Sequence, residues 1–276
     1  MPELPETETI ARDLDAEVRG ATITGVTVHR ADVLREVDAR VLARRVRGAR
    51  IERAWRRAKL VILDLSTGDR LVVQPRFTGA LLVDTGQLPD RERGFLRVTF
   101  DLADGRKLHY RDIRCLGTVA LMGPERFAGY VGALGVEPLD PAFTAAHLSA
   151  LLRGSRQAVK KLLQNQRRVV GVGNIYANES LWRARIHPAR TGASLSESEV
   201  AALRDAVVSV LQESIALRGT SFRDYVDARG ERGGFVEKLA VYGRADAPCP
   251  RCGTPLVDTH DIDGRTSVYC PHCQRH

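Results

Sequence analysis

The chain has 276 residues, 43 % apolar and 28 % charged, the make-up of a folded protein with chain enough for a sizeable core. It carries 42 Lys and Arg against 34 Asp and Glu, a net charge of +8 that fits a polyanionic partner. No apolar run reaches the ~20 residues of a membrane span, and the N-terminus lacks a signal peptide's basic-then-apolar pattern. The expectation is a cytoplasmic protein with reduced thiols, away from membranes.

Met1-Pro2-Glu3-Leu4-Pro5-Glu6 opens the chain. Trimming of Met1 would leave Pro2 as a free secondary amine; an α-amine has a reference pKa near ~7.7–8.0, so a useful fraction is a neutral nucleophile at pH 7. The same residues also read simply as a stiff helix entry, because proline costs nothing in a first helical turn. From Pro5 to about Arg19, Ile10, Leu14 and Val18 recur every four residues, which predicts an amphipathic helix ended by Gly20. Pro2 and Glu3 then lie at its positive end, which disfavours a protonated amine.

Residues 21 to about 123 read as β-rich. Ile23 to Val28 begins a strand, Leu60 to Leu65 and Leu71 to Val73 flank the turn Thr67-Gly68-Asp69, and further strands fall at 80–83, 95–100 and 107–110. A short helix interrupts them near Val41 to Arg45. Many short strands with turns between them predict an antiparallel sandwich or barrel. Gly132, Gly135, Pro138 and Pro141 punctuate a linker, after which helices are expected at 144–153, 155–164, 174–184 and 196–217, then a glycine-rich loop over 218–235.

Two Cys-x-x-Cys pairs, Cys249/Cys252 and Cys270/Cys273, close the chain. Two thiolate pairs at this spacing make a closed tetrahedral site suited to one structural zinc, with a one-iron site as the rival. Gly171-Val172-Gly173-Asn174 feeds a helix and would present backbone N–H groups to an anion, with Asn174 as N-cap; a tight helix–helix turn accounts for it equally. Arg56-Arg57-Ala58-Lys59, opening a strand, Asp112-Ile113-Arg114, and Arg265 inside the metal hairpin are phosphate-binding candidates or ordinary solvated charges.

Together these stretches resemble the formamidopyrimidine-DNA glycosylase/endonuclease VIII family, on the formamidopyrimidine side. Pro2 to Glu6 is similar to its opening motif, Gly171 to Tyr176 to its helix-two-turn-helix signature, and Cys249 to Gln274 to its zinc finger; Leu134 to Leu139 and Val241 to Arg244 match landmarks between them. The resemblance runs along essentially the whole chain. It implies an α+β protein: an N-terminal helix on an antiparallel β-sandwich (1–131), a linker (132–143), a helix-two-turn-helix domain with a lesion-covering loop (144–235) and a C-terminal zinc-finger hairpin (236–276).

The activity implied is that of a bifunctional DNA glycosylase/AP lyase of base-excision repair. Such an enzyme, here a bacterial monomer working at the nucleoid, acts on damaged double-stranded DNA. Pro2 would attack C1′ of an oxidised or ring-opened purine nucleotide and form a Schiff base, with β,δ-elimination after it. Glu3 would be the acid; Lys59 and Arg265 count with the catalytic set and, with Asn174, grip phosphates. Glu6, Thr220, Ser221 and Tyr225 would shape the lesion pocket. Phe77, Arg114 and Leu116 would fill the gap left by the extruded nucleotide.

Several residues depart from the family pattern. Phe77 stands for a methionine wedge, Leu116 for a phenylalanine wedge, Arg91-Glu92-Arg93-Gly94 for Lys-His-Asp-His, and Asn165 for an aspartate. They bear on which lesion is preferred rather than on the lyase chemistry, leaving oxidised pyrimidines, alkylated bases or crosslinks as alternative substrates. A zinc protein that binds damaged DNA without cutting it is the alternative from another class.

Overall fold

The computed structural model describes residues 2–276; Met1, whose removal the Pro2 amine requires, lies outside them. After α1 (Leu4–Val18) come β1 (Ile23–Val28), β2 (Leu34–Arg35), α2 (Ala39–Val46), β3 (Ile51–Arg57), β4 (Leu60–Leu65), β5 (Arg70–Gln74) and β6 (Gly79–Asp84). A short α3 (Asp90–Arg93) leads to β7 (Leu96–Leu102), β8 (Lys107–Asp112), β9 (Thr118–Met122) and α4 (Pro124–Gly132).

The strands form a four-stranded sheet, β1-β7-β8-β6, and a five-stranded sheet, β2-β9-β5-β4-β3. Every neighbouring pair is antiparallel except the two-residue β2 with β9. The apolar stripe of α1 (Ile10, Leu14, Val18) joins Val61, Leu63 and Leu71 of one sheet and Leu81, Phe100 and Leu108 of the other in a single buried cluster. Each large aliphatic side chain buried there contributes roughly 1.5–3 kcal/mol. Leu60 to Leu63 are buried without alternation, so this strand has no solvent face and reads as a continuous apolar run.

A polar chain crosses the four-stranded sheet. His29 Nε2 lies 3.0 Å from Thr99 Oγ1, which lies 2.9 Å from His109 Nδ1, and His109 Nε2 lies 3.3 Å from Asp84 Oδ2. Burial pushes the His109 pKa below the ordinary histidine value, outweighing the nearby Asp84 carboxylate. The folded state therefore holds His109 neutral while the unfolded chain takes up a proton. The stability this contributes is complete above ~6.5 and is lost as pH falls below that value toward the depressed folded pKa. Wild type is expected to lose melting temperature more steeply than His109→Gln on going from pH 7 to pH 5; parallel curves would remove His109 from the acid response.

The later elements are α5 (Ala145–Leu152), α6 (Val159–Leu163), α7 (Asn174–Arg183), α8 (Glu197–Ala216) and a hairpin of β10 (Val257–Thr259) and β11 (Ser267–Tyr269). The α8 helix packs on α5 and α7. The expected helix 155–164 shortens to α6, because Ala158 instead bridges Thr191. The stretch 134–137 is no free linker: Val136 pairs in parallel with Val169.

By internal contacts the chain divides into two units. One takes in the chain through Ala133 together with Leu217–Gly234; the other comprises Leu134–Ala216 and Phe235–His276. The sequence groups 218–235 with the helices that flank it, whereas Leu217–Gly234 packs with the N-terminal unit. Its anchors explain why: Val83 donates to the Ala228 carbonyl at 3.0 Å, and Arg218 pairs with Asp13 of α1 at 2.6 Å and with Asp227. No helix among the described residues is long and apolar enough to cross a membrane.

Candidate active site and nucleic-acid interface

The first helical residue is Leu4, with Glu3 as N-cap, so Pro2 and Glu3 occupy the mouth of α1. Both are buried, Glu3 to 2 % exposure. The Glu6 carboxylate links two segments there: Oε2 accepts Glu3 N–H at 2.7 Å and Oε1 accepts Thr220 N–H at 2.8 Å. Tyr225 donates its hydroxyl to the carbonyls of Arg218 at 3.1 Å and Glu6 at 3.4 Å. The Ser221 hydroxyl donates to the Tyr225 carbonyl and accepts Gly233 N–H, each at 2.8 Å. Glu6, Thr220, Ser221 and Tyr225 are thus brought together beside the helix mouth, while Phe222, Arg223 and Asp224 of the same loop are exposed.

Lys59 does not open a strand. Ala58 and Lys59 form the two-residue turn of the β3–β4 hairpin, Arg57 pairing with Leu60 and Ala58 adopting φ 55°. Both strands pack on α1. Arg56, expected among solvated basic charges, is held by Glu8 of α1 at 2.8 Å.

Phe77 and Leu116 are 45 % and 40 % exposed, two of only four large apolar side chains so open among the described residues. Phe77 lies on the β5–β6 loop, Leu116 and Arg114 on the β8–β9 loop, and the Arg114 guanidinium stacks 5.3 Å over the Phe77 ring. The Arg91–Gly94 departure falls on α3 and its C-cap Gly94, and Glu92 of α3 holds Arg111 at 2.7 Å.

In the second unit Asn174 is the first residue of α7 and Gly173 its N-cap, correcting the expected cap. Its side chain instead donates to the Thr266 carbonyl at 3.0 Å. Arg265, one residue earlier, donates to Gln164 Oε1 at 2.6 Å. Lys160 underlies both: it is 0 % exposed and donates to Ser267 Oγ at 2.6 Å and to the Thr266 carbonyl at 3.1 Å, with Asp263 at 3.4 Å.

Asn178 and Glu179 add further ties. Asn178 accepts Val268 N–H at 2.7 Å, and Glu179 accepts the N–H groups of Ala240, Val241 and Tyr242 at 2.8–3.0 Å. Burial raises the Glu179 pKa against the pull of those donors. Lys160, Asn178 and Glu179 escape sequence reasoning because each reads locally as an ordinary polar helix residue.

Cys249, Cys252, Cys270 and Cys273 place their four Sγ atoms within 4.8 Å of one another. Four thiolates around a tetrahedral ion with Zn–S of about 2.3 Å require S···S separations of about 3.8 Å, so the donor set fits one ion and leaves no open position. The cysteines hold a single structural zinc. Gln274 fastens the module by accepting Cys270 N–H and donating to the Ile186 carbonyl, each at 2.9 Å.

Three family models match in order along the chain: the formamidopyrimidine-DNA glycosylase N-terminal domain over residues 1–119, its H2TH domain over 134–226, and the zinc finger found in FPG and IleRS over 247–275. The formamidopyrimidine-DNA glycosylase of Pelotomaculum thermopropionicum is 40 % identical over 277 residues, covering 100 % of this chain and 99 % of that one. That of Moorella thermoacetica is 45 % identical over 93 % of each. Among solved structures, the complex of Lactococcus lactis Fpg with DNA containing an abasic site superposes with a TM-score of 0.92 at 31 % identity, over 99 % of this chain and 100 % of the other. The wild-type Lactococcus lactis protein bound to DNA carrying N7-benzyl-Fapy-dG also gives 0.92 at 31 %, over 100 % of both. The chain belongs to the formamidopyrimidine-DNA glycosylase family.

Proposed function

We propose that the protein is a bifunctional DNA glycosylase/AP lyase that removes oxidised or ring-opened purines from duplex DNA. The observation that carries this reading is the buried helix mouth, where Pro2 and Glu3 stand beside a loop held by Glu6. After loss of Met1, the lone pair of the Pro2 nitrogen forms a bond to C1′ while the glycosidic bond breaks, and the base leaves with that electron pair and is protonated. The attached nitrogen loses its proton to solvent, and its lone pair then breaks the C1′–O4′ bond while Glu3 gives a proton to O4′, so a Schiff base forms. Successive proton losses from the sugar then expel the 3′ and 5′ phosphates.

Extruding the base costs a few kcal/mol of stacking and pairing. Phe77 and Leu116 offset that by filling the gap, and Arg114 faces the orphaned base. Lys59, Asn174 and Arg265 hold backbone phosphates, which position the duplex without reading its sequence. Glu6, Thr220, Ser221 and Tyr225 border the extruded base. The related Lactococcus lactis protein has been seen with Fapy-dG-type, abasic-site and oxidised-pyrimidine DNA, which supports a substrate range centred on such lesions.

Borohydride is expected to trap a covalent complex between the protein and abasic-site DNA, at the mass of the chain lacking Met1 plus the DNA fragment. Absence of any trapped band from protein whose Met1 loss is verified by mass spectrometry sinks the lyase reading.

A further inference from the structure

One buried carboxylate ties together the two loops that carry Phe77 and Leu116. Asp112 ends β8 and is 0 % exposed. Its Oδ1 accepts the Thr78 hydroxyl and, at 3.2 Å, Arg114 N–H; its Oδ2 accepts Gly117 N–H at 2.8 Å and the Tyr110 hydroxyl at 3.1 Å. The Asp112 carbonyl takes Arg97 Nε–H at 2.6 Å, and Thr78 Oγ1 accepts Arg114 N–H at 3.0 Å. Thr78 belongs to the β5–β6 loop and Arg114 and Gly117 to the β8–β9 loop. A buried carboxylate is costly unless its lone pairs are used, and here four donors use them. Burial, followed by the charge of Asp112, holds the Tyr110 hydroxyl protonated.

Backbone strain lies against this knot. The residue just before Phe77 and the one just before Leu116 are left-handed without being glycine, Arg76 at φ 54° and Cys115 at φ 52°. Such conformations persist only where the surroundings over-determine them. The loops also meet too closely for a side chain on Gly117: a Cβ there would stand 2.8 Å from the Pro75 carbonyl oxygen of the other loop and 2.0 Å from the Tyr110 hydroxyl. Nothing in the chemistry at Pro2 uses Asp112. What it supplies is rigidity. An apolar side chain that must enter a base stack gains from being held outward, since a loose one would fold back onto the protein surface.

We propose that Asp112, with Thr78, is a positioning residue that fixes Phe77, Arg114 and Leu116 as one rigid gap-filling unit and so sets discrimination for the base opposite the lesion. This rests on the glycosylase reading above. Excision of a paired base needs that unit; cutting at a ready-made abasic site, with no damaged base to extrude, needs it less.

The test compares full-length wild type, Asp112→Asn, Thr78→Val and Thr78→Ser. The measurements are single-turnover excision of a ring-opened purine opposite each of the four bases, cleavage of an abasic duplex, and the melting temperature. An asparagine turned either way sets its NH₂ against a main-chain donor, of Arg114 or of Gly117. Thr78→Val probes the same link with the carboxylate retained, should Asp112→Asn not fold. In folded Asp112→Asn and Thr78→Val, the ratio of excision to abasic-site cleavage is expected to fall by about tenfold, the effect of one lost hydrogen bond to a charged group. Discrimination among opposite bases narrows, and Thr78→Ser restores both. An unchanged ratio and discrimination in folded variants, or a parallel fall of both rates, overturns the inference. Wild-type protein that neither excises the lesion nor forms a borohydride adduct overturns instead the reading beneath it.

Discussion

Replacing Glu3 with glutamine is expected to slow base excision by about 10²–10⁴-fold, the usual worth of a positioned proton donor. The exchange is close to isosteric, and Glu3 is buried at the N-cap of α1, so the helix and the grip of Glu6 on Thr220 should persist. Affinity for a duplex bearing a stable abasic analogue should therefore stay at the wild-type value while the single-turnover rate collapses. A variant that cuts at the wild-type rate would remove Glu3 from the chemistry. One that loses affinity and rate together would make it a structural cap.

The second large effect follows from the metal. Structural zinc in small modules is worth about 10–16 kcal/mol of apparent binding energy, and that energy is spent on folding. From its own length the module between Cys249 and Cys273 supplies only Leu256 and Val268, besides its cysteines, to a small apolar cluster that also takes in Ala240, Val241 and Trp182. Chelation, or Cys270→Ser, is expected to unfold it and release the Thr266 carbonyl from Asn174 and Lys160. If Arg265 neutralises one phosphate while the uncharged Asn174 only hydrogen-bonds to its own, the slope of log affinity against log salt should become shallower by about one. The β-sandwich of the first unit should stay folded. Unchanged salt dependence after verified zinc loss would separate the module from DNA binding.

What could be read from the sequence was local. The α1 stripe, the β4–β5 hairpin, the two cysteine pairs and the glycine turn before α7 each announce themselves within some twenty-five residues. β3 was hidden because Arg53, Arg56 and Arg57 look like a solvated run, yet two of them are paired with Asp64 and Glu8. Lys160 likewise reads as half of an exposed Lys160-Lys161 pair, and only the hairpin residues Asp263 to Ser267, about a hundred positions later, make it a buried cation. The Asp112 knot joins Thr78 to a carboxylate 34 residues away. Periodicity carries no information on such a pairing, because hydrogen bonds between distant loops leave the local pattern of apolar and polar residues unchanged.

The membership of Leu217–Gly234 in the first unit has a consequence for how the gene can be dissected. The first unit is split in sequence, its final piece being encoded after α8. Cutting the gene after Ala133 would yield a polypeptide lacking the Thr220 donor for Glu6 and the Arg218 partner for Asp13, leaving Glu6 one donor short and the buried Asp13 without its cation on the helix that Pro2 precedes. The two halves are therefore not interchangeable cassettes, and a workable chimera would have to exchange Leu217–Gly234 together with the N-terminal segment.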